Sequence, residues 1–166
     1  MLDDAAPALA AARADIDHAG AARIGLHVTL LYPFVRRGAV TQELLGGLRG
    51  FFAERAAIQF ALARLEEFPD VVAYVAPEPD GELKELMRSL WAKYPDTPPY
   101  GGAFTEPVPH ATIASYARAA VNLDQVRTRV APLLPVACSI SAASLLEEYE
   151  AEHWRELESL PFGAAA

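Results

Sequence analysis

The sequence predicts a mixed fold of helices and strands, organised as two similar halves, on three observations. The tetrapeptides His27-Val28-Thr29-Leu30 and His110-Ala111-Thr112-Ile113 share one pattern: histidine, apolar, threonine, apolar. They lie half of a 166-residue chain apart, a spacing that suggests internal duplication. Each sits in a stretch that reads as a strand, and after each the chain reads as helix, strand, strand. Side chains alternate faces along a strand, so His and Thr at i and i+2 emerge together while their apolar neighbours face the core. Each half therefore offers an imidazole and a hydroxyl side by side.

The remaining elements follow in order. Ala5 to Asp17 reads as an Ala-rich helix with Arg13 and Asp15 on its polar side. Ala22 to Phe34 reads as the first motif strand, stopped at Tyr32-Pro33 because proline lacks a ladder donor. Thr41 can cap a helix whose Leu44, Leu45, Leu48 and Phe52 recur at helical spacing. Ile58 to Leu65 alternates as a strand, Phe68-Pro69-Asp70 turns, and Val71 to Ala76 returns. Asp80 can cap a helix carrying Leu83, Leu86, Met87, Leu90 and Trp91. Pro95 to Gly102 is a loop, and Phe104 to Tyr116 is the second motif strand. Asn122 with Gln125 forms a capping box ahead of Val126, Val130 and Leu133. Val136 to Leu146 and Trp154 to Phe162 read as the last two strands. The length suits one domain of two packed lobes, residues 1–166.

Composition narrows the partners. Fourteen basic residues face 22 acidic ones, a net charge of −8, and no basic run occurs. A protein that grips long duplex nucleic acid needs a field of Lys and Arg to neutralise phosphates, so extended duplex binding is not expected. A small phosphorylated ligand or an RNA end is compatible, because a local pocket can be positive within an acidic protein. The apolar stretches Leu30 to Val35 and Val71 to Val75 are too short to span a bilayer, so no membrane partner is expected. Met1 to Ala12 carries Asp3 and Asp4 and no basic stretch before an apolar block, unlike a secretory leader. Cys138 is the sole cysteine, which precludes an internal disulfide and suits a reducing cytoplasm. It reads as a small buried apolar residue.

With those residues in view, the chain resembles the 2H phosphoesterase superfamily, and more narrowly its bacterial branch of 2′-5′ RNA ligase-like cyclic phosphodiesterases. The resemblance rests on the runs His27 to Phe34 and Pro109 to Ala114, supported by the Pro98 to Phe104 loop between them. It implies a bilobal α+β fold in which two pseudo-twofold-related lobes of antiparallel strands with packed helices flank a central cleft. His27, Thr29, His110 and Thr112 would then lie on the cleft floor. Members of the family generally carry a strand ahead of the helix containing Arg13. Either the true start lies upstream, or one edge of the first lobe is open to pairing.

The resemblance further implies phosphodiester chemistry without cofactor or metal: hydrolysis of a 2′,3′-cyclic phosphate, or making and breaking of a 2′-5′ RNA linkage. His27 and His110 would be general acid and base, in either assignment, since imidazole titrates near neutrality. Thr29 and Thr112 would bind the non-bridging oxygens. The same cleft would equally serve a non-catalytic module that binds a nucleotide or RNA end. No His-x-His or His-x₃-His spacing supports a metal site, and His18 and His153 lack the following threonine. Tyr100 and Phe104 suit either base stacking or a buried turn. Tyr32 reads as packed on the face of Val28 and Leu30, and Trp91 and Trp154 as structural. Arg36-Arg37 are the better phosphate candidates among Arg13, Arg36, Arg37 and Arg118.

Overall fold

A computed structural model describes residues 1–163, with the side chain of Arg37 also outside the described set. Helix α1 (Pro7–Ile16) starts on proline, whose missing N–H costs nothing in a first turn. It stops at Asp17, whose Oδ1 accepts from the Gly20 backbone N–H and caps α2 (His18–Arg23). Helix α3 (Gln42–Ala53) is capped by Thr41, which accepts from the Leu44 N–H. Strands β1 (Ile58–Phe68) and β2 (Val72–Glu78) lead into α4 (Gly81–Lys93). Then come β3 (Ala111–Ser115) and α5 (Leu123–Val130), whose Asn122–Gln125 capping box is fully formed. The chain closes with β4 (Val136–Ile140), β5 (Ala142–Glu150) and β6 (His153–Pro161).

One antiparallel sheet has the order β3-β2-β1-β4, and β5 and β6 pair as a separate hairpin. The larger sheet thus draws β1 and β2 from the chain after the first tetrapeptide, and β3, which includes most of the second tetrapeptide, and β4 from the later half. Leu9, Leu26, Leu62, Leu83, Ile113 and Val126 are fully buried within one cluster that all the layers feed. Burying each such side chain is worth about 1.5–3 kcal/mol. Phe52 of α3 stacks on Phe162 at 5.6 Å and so ties the hairpin's end to that cluster.

Five expectations need correction. Residues 22–34 do not form a strand: α2 takes the beginning, and the rest is irregular apart from one antiparallel bridge, Val28 to Ala111. Its backbone groups are spent elsewhere. Leu26 N–H donates to Asp3, and the Leu26 carbonyl accepts from the Leu2 N–H. The Leu30 carbonyl accepts from the Trp91 indole, and the Tyr32 carbonyl from the Tyr100 N–H. The second motif strand shrinks to Ala111–Ser115, since Pro107 and Pro109 supply no ladder donors ahead of it. The stretch 136–146 splits into two strands of different sheets at Ser141, whose carbonyl accepts from Phe162. Asp80 forms no side-chain cap and pairs instead with Lys84 at 2.6 Å. Arg13 is not on a polar face but is 4% exposed, buried against the sheet side of α1.

Candidate active site

The Val28–Ala111 bridge builds the site. Because the pair is antiparallel, it sets His27 beside Thr112 and Thr29 beside His110. Val28 and Ala111 turn inward, so the two imidazoles and two hydroxyls share the opposite face. The structure therefore brings together all four residues that the tetrapeptides single out, although only one of the two segments is a strand.

Both imidazoles are oriented alike. His27 Nδ1 lies 2.8 Å from the Gly25 carbonyl and His110 Nδ1 lies 2.7 Å from the Val108 carbonyl. A carbonyl oxygen only accepts, so in each ring Nδ1 carries the proton and Nε2 is left to gain or lose one. His153 makes a similar contact to Ala151 at the β5–β6 turn, but without a threonine two residues on.

Burial pushes the His27 imidazole below its ordinary range. The Arg13 guanidinium and the His110 ring add to this, against the opposing pull of the Gly25 carbonyl. His110 is lowered too, again by burial, with the Val108 carbonyl opposing. The contribution of His110 to this shift means that a charge on the His110 ring disfavours a charge on His27.

Arg13 holds the first segment from behind. Its Nη1 donates to the Ile24 carbonyl at 2.7 Å, while its Nε has no partner among the described residues. The His110 ring packs against a pair of touching aromatic rings, Phe68 at 5.1 Å and Tyr74 at 5.4 Å. Tyr74 lies opposite Thr112 on β2, and its hydroxyl donates to Glu66 of β1 at 3.0 Å. Burial, with that carboxylate beside it, pushes the Tyr74 phenol up to about 12, so it stays a neutral donor. Sequence reasoning missed Arg13, Phe68 and Tyr74 as supports. Tyr74 carried a usable signal, since it alternates onto a face between two apolar neighbours. Phe68 carried none, because its Pro-Asp neighbours mark only a turn.

A cavity of about 640 Å³ opens on the first half of the site. His27, Thr29, Tyr32, Arg36, Arg118 and Trp154 are on its wall, whereas His110 and Thr112 are not. Tyr32 is 44% exposed, a correction to its packed reading: its ring reaches out to Tyr100 and Trp154 instead of inward. Trp91 is structural, packed on the core with its indole on Leu30. Arg118 pairs with Glu152 at 3.2 Å, and Glu152 also pairs with Arg23. Cys138 is buried, and burial pushes its thiol up. Among the described residues, no group of three or more His, Cys, Asp or Glu gathers as a metal ion would need. Nor is any described helix long and apolar enough to cross a membrane.

A family model described as the 2′-5′ RNA ligase superfamily matches residues 2–152. The match covers both tetrapeptides, and the chain belongs to that superfamily. A search of curated proteins finds no matching relative.

Proposed function

We propose that this member of the 2′-5′ RNA ligase superfamily breaks or makes a phosphodiester with its two imidazoles as general acid and base. The substrate is a 2′,3′-cyclic phosphate or a 2′-5′ linkage at a nucleotide or RNA end, held in the cleft of one two-lobed domain. The observation that carries the reading is the Val28–Ala111 bridge. Diagonal neighbours across such a pair lie about 7–8 Å apart, near enough for two long side chains to address one small group between them. Neither Nε2 has a hydrogen-bond partner among the described residues, and a hydroxyl flanks each ring.

In hydrolysis, the neutral imidazole's Nε2 takes a proton from water as its oxygen bonds to phosphorus. The bond from phosphorus to one ribose oxygen breaks, and the opposite imidazolium's Nε2 delivers a proton to that oxygen. Thr29 and Thr112 donate to the non-bridging oxygens, where negative charge builds. With a ribose hydroxyl in place of water as the attacking group, the same transfers join two nucleotides, and opening of the strained ring supplies the energy. One imidazole must be charged and one neutral, and both are held below the ordinary range. The rate therefore peaks on the acid side of neutrality, along a bell-shaped profile.

Turnover of 2′,3′-cyclic nucleotides and 2′-5′ dinucleotides tests this. His27→Ala and His110→Ala each lower kcat/KM by about 10²–10⁴-fold with the fold intact by circular dichroism, and chelator leaves the wild type unchanged. Saturable nucleotide binding with no product, or activity that survives both substitutions, overturns the catalytic reading in favour of a binding module.

A further inference from the structure

Asp17 follows Arg13 by four residues, so the two side chains leave one face of α1 a turn apart. Between them they reach both motif segments. Asp17 accepts the Ser115 N–H of β3 at 3.1 Å, three residues past Thr112. Arg13 Nη1 donates to the Ile24 carbonyl at 2.7 Å, three residues ahead of His27. The next carbonyl along, that of Gly25, is the one that His27 Nδ1 addresses at 2.8 Å. Space alone does not call for an arginine at this place. The residue is 4% exposed, its Nε is buried with no partner among the described residues, and an unmet buried donor costs stability. An apolar side chain of similar volume often fills a purely structural place as well or better.

We propose that Arg13 is a positioning residue: from its buried place on α1 it fixes the backbone that turns the His27 ring, and its charge, set behind that ring alone, makes the two imidazoles unequal. The proposal deepens the phosphodiester reading and rests on it for the use made of that inequality, since the reaction needs one ring neutral and one charged. The Arg13 guanidinium, the chain's N-terminal amine and the His110 ring all disfavour an imidazolium at His27. At His110 burial acts against the charged ring and the Val108 carbonyl favours it, with no part played by Arg13. Asp17 and Asp3 oppose the charge of Arg13, and Arg118 adds to it. Arg23, Arg36, Arg118, Glu147, Glu148 and Glu152 share the cavity wall with His27, whereas Arg13 does not line it. Arg13 therefore acts through His27 and not on the substrate. Two tetrapeptides of one pattern are held in two electrostatic settings.

Proton NMR titration of the imidazole signals in the full chain, assigned with His27→Gln and His110→Gln, reads the two rings separately. Turnover of 2′,3′-cyclic nucleotides is followed beside it. Arg13→Gln keeps a donor for the Ile24 carbonyl and removes the charge, so His27 titrates at higher pH than in wild type while His110 stays in place. In the same variant one limb of the bell-shaped profile moves to higher pH, and kcat/KM at the optimum falls about tenfold or more. Arg13→Lys restores the charge and with it the His27 titration and most of the rate. Where Arg13→Gln does not fold, Asp3→Asn serves: it keeps an acceptor for the Leu26 N–H, leaves Arg13 less opposed, and moves the His27 titration to lower pH. An unmoved His27 titration, equal movement of both imidazoles, or an Arg13→Lys variant that behaves as Arg13→Gln overturns the proposal. Movement of His27 alone in a protein that turns over no cyclic nucleotide leaves the hold of Arg13 on His27 standing and removes the catalytic reading instead.

Discussion

Asp17 is 2% exposed and holds two buried backbone donors, one in its own helix start and one in the strand of the second motif. Its Oδ1 accepts from Gly20 N–H at 2.9 Å and its Oδ2 from Ser115 N–H at 3.1 Å. Asp17→Ala strands both donors in the interior, and each unsatisfied group costs about 1–3 kcal/mol. Urea unfolding of that variant should show a loss of about 3 kcal/mol, whereas its neighbour Asp15→Ala stays near wild type. Gly20 belongs to the same arrangement, since a Cβ there would lie 2.6 Å from the Asp17 carboxylate. None of this was legible in the sequence, where an acidic residue ending an Ala-rich helix reads as ordinary surface. Arg13 misled for the same reason: its burial depends on what packs over α1, which no local pattern records.

At the scale of elements, caps were legible wherever side chain and backbone agree locally. Thr41 and the Asn122–Gln125 box do what their spacing implies, while Asp80 shows the limit of the rule. Asp80 has helical dihedrals, φ −103° and ψ −3°, so its carboxylate points away from the first-turn donors and reaches Lys84 instead. Denaturation should separate the two cases: Asn122→Ala costs about 1 kcal/mol, and Asp80→Ala less than about half of that. The segment through His27 is the clearest miss. Its alternation of apolar and polar residues is that of a strand, but Leu2, Asp3, Trp91 and Tyr100 take the groups a ladder would need. Those partners are distant in sequence, so periodicity had no means of seeing them. The tetrapeptides were legible because the i, i+2 relation survives in any extended backbone.

For the molecule as a whole, the two imidazoles set a dependence of stability on pH. Burial holds both below the ordinary value of about 6.5 that they recover on unfolding, so the unfolded chain binds protons more readily. The stability they contribute is complete above that value and is lost as pH falls through their depressed native range. Thermal melts between about pH 6.5 and 5 should show a falling midpoint, with a shallower slope in a His27→Gln/His110→Gln double variant.

The topology carries one more consequence, concerning self-association. β3 lies at the rim of its sheet, where exposed amide and carbonyl groups invite a stranger's chain to dock. Two devices blunt that rim: the Asp17 carboxylate ties up one end at Ser115, and the segment bearing His27 lies against the other at Ala111. The polypeptide stretch proposed to carry one of the two imidazoles of the reaction thus also guards solubility. Lesions that loosen it will surface as clumped, insoluble material before they can be scored as slow enzyme.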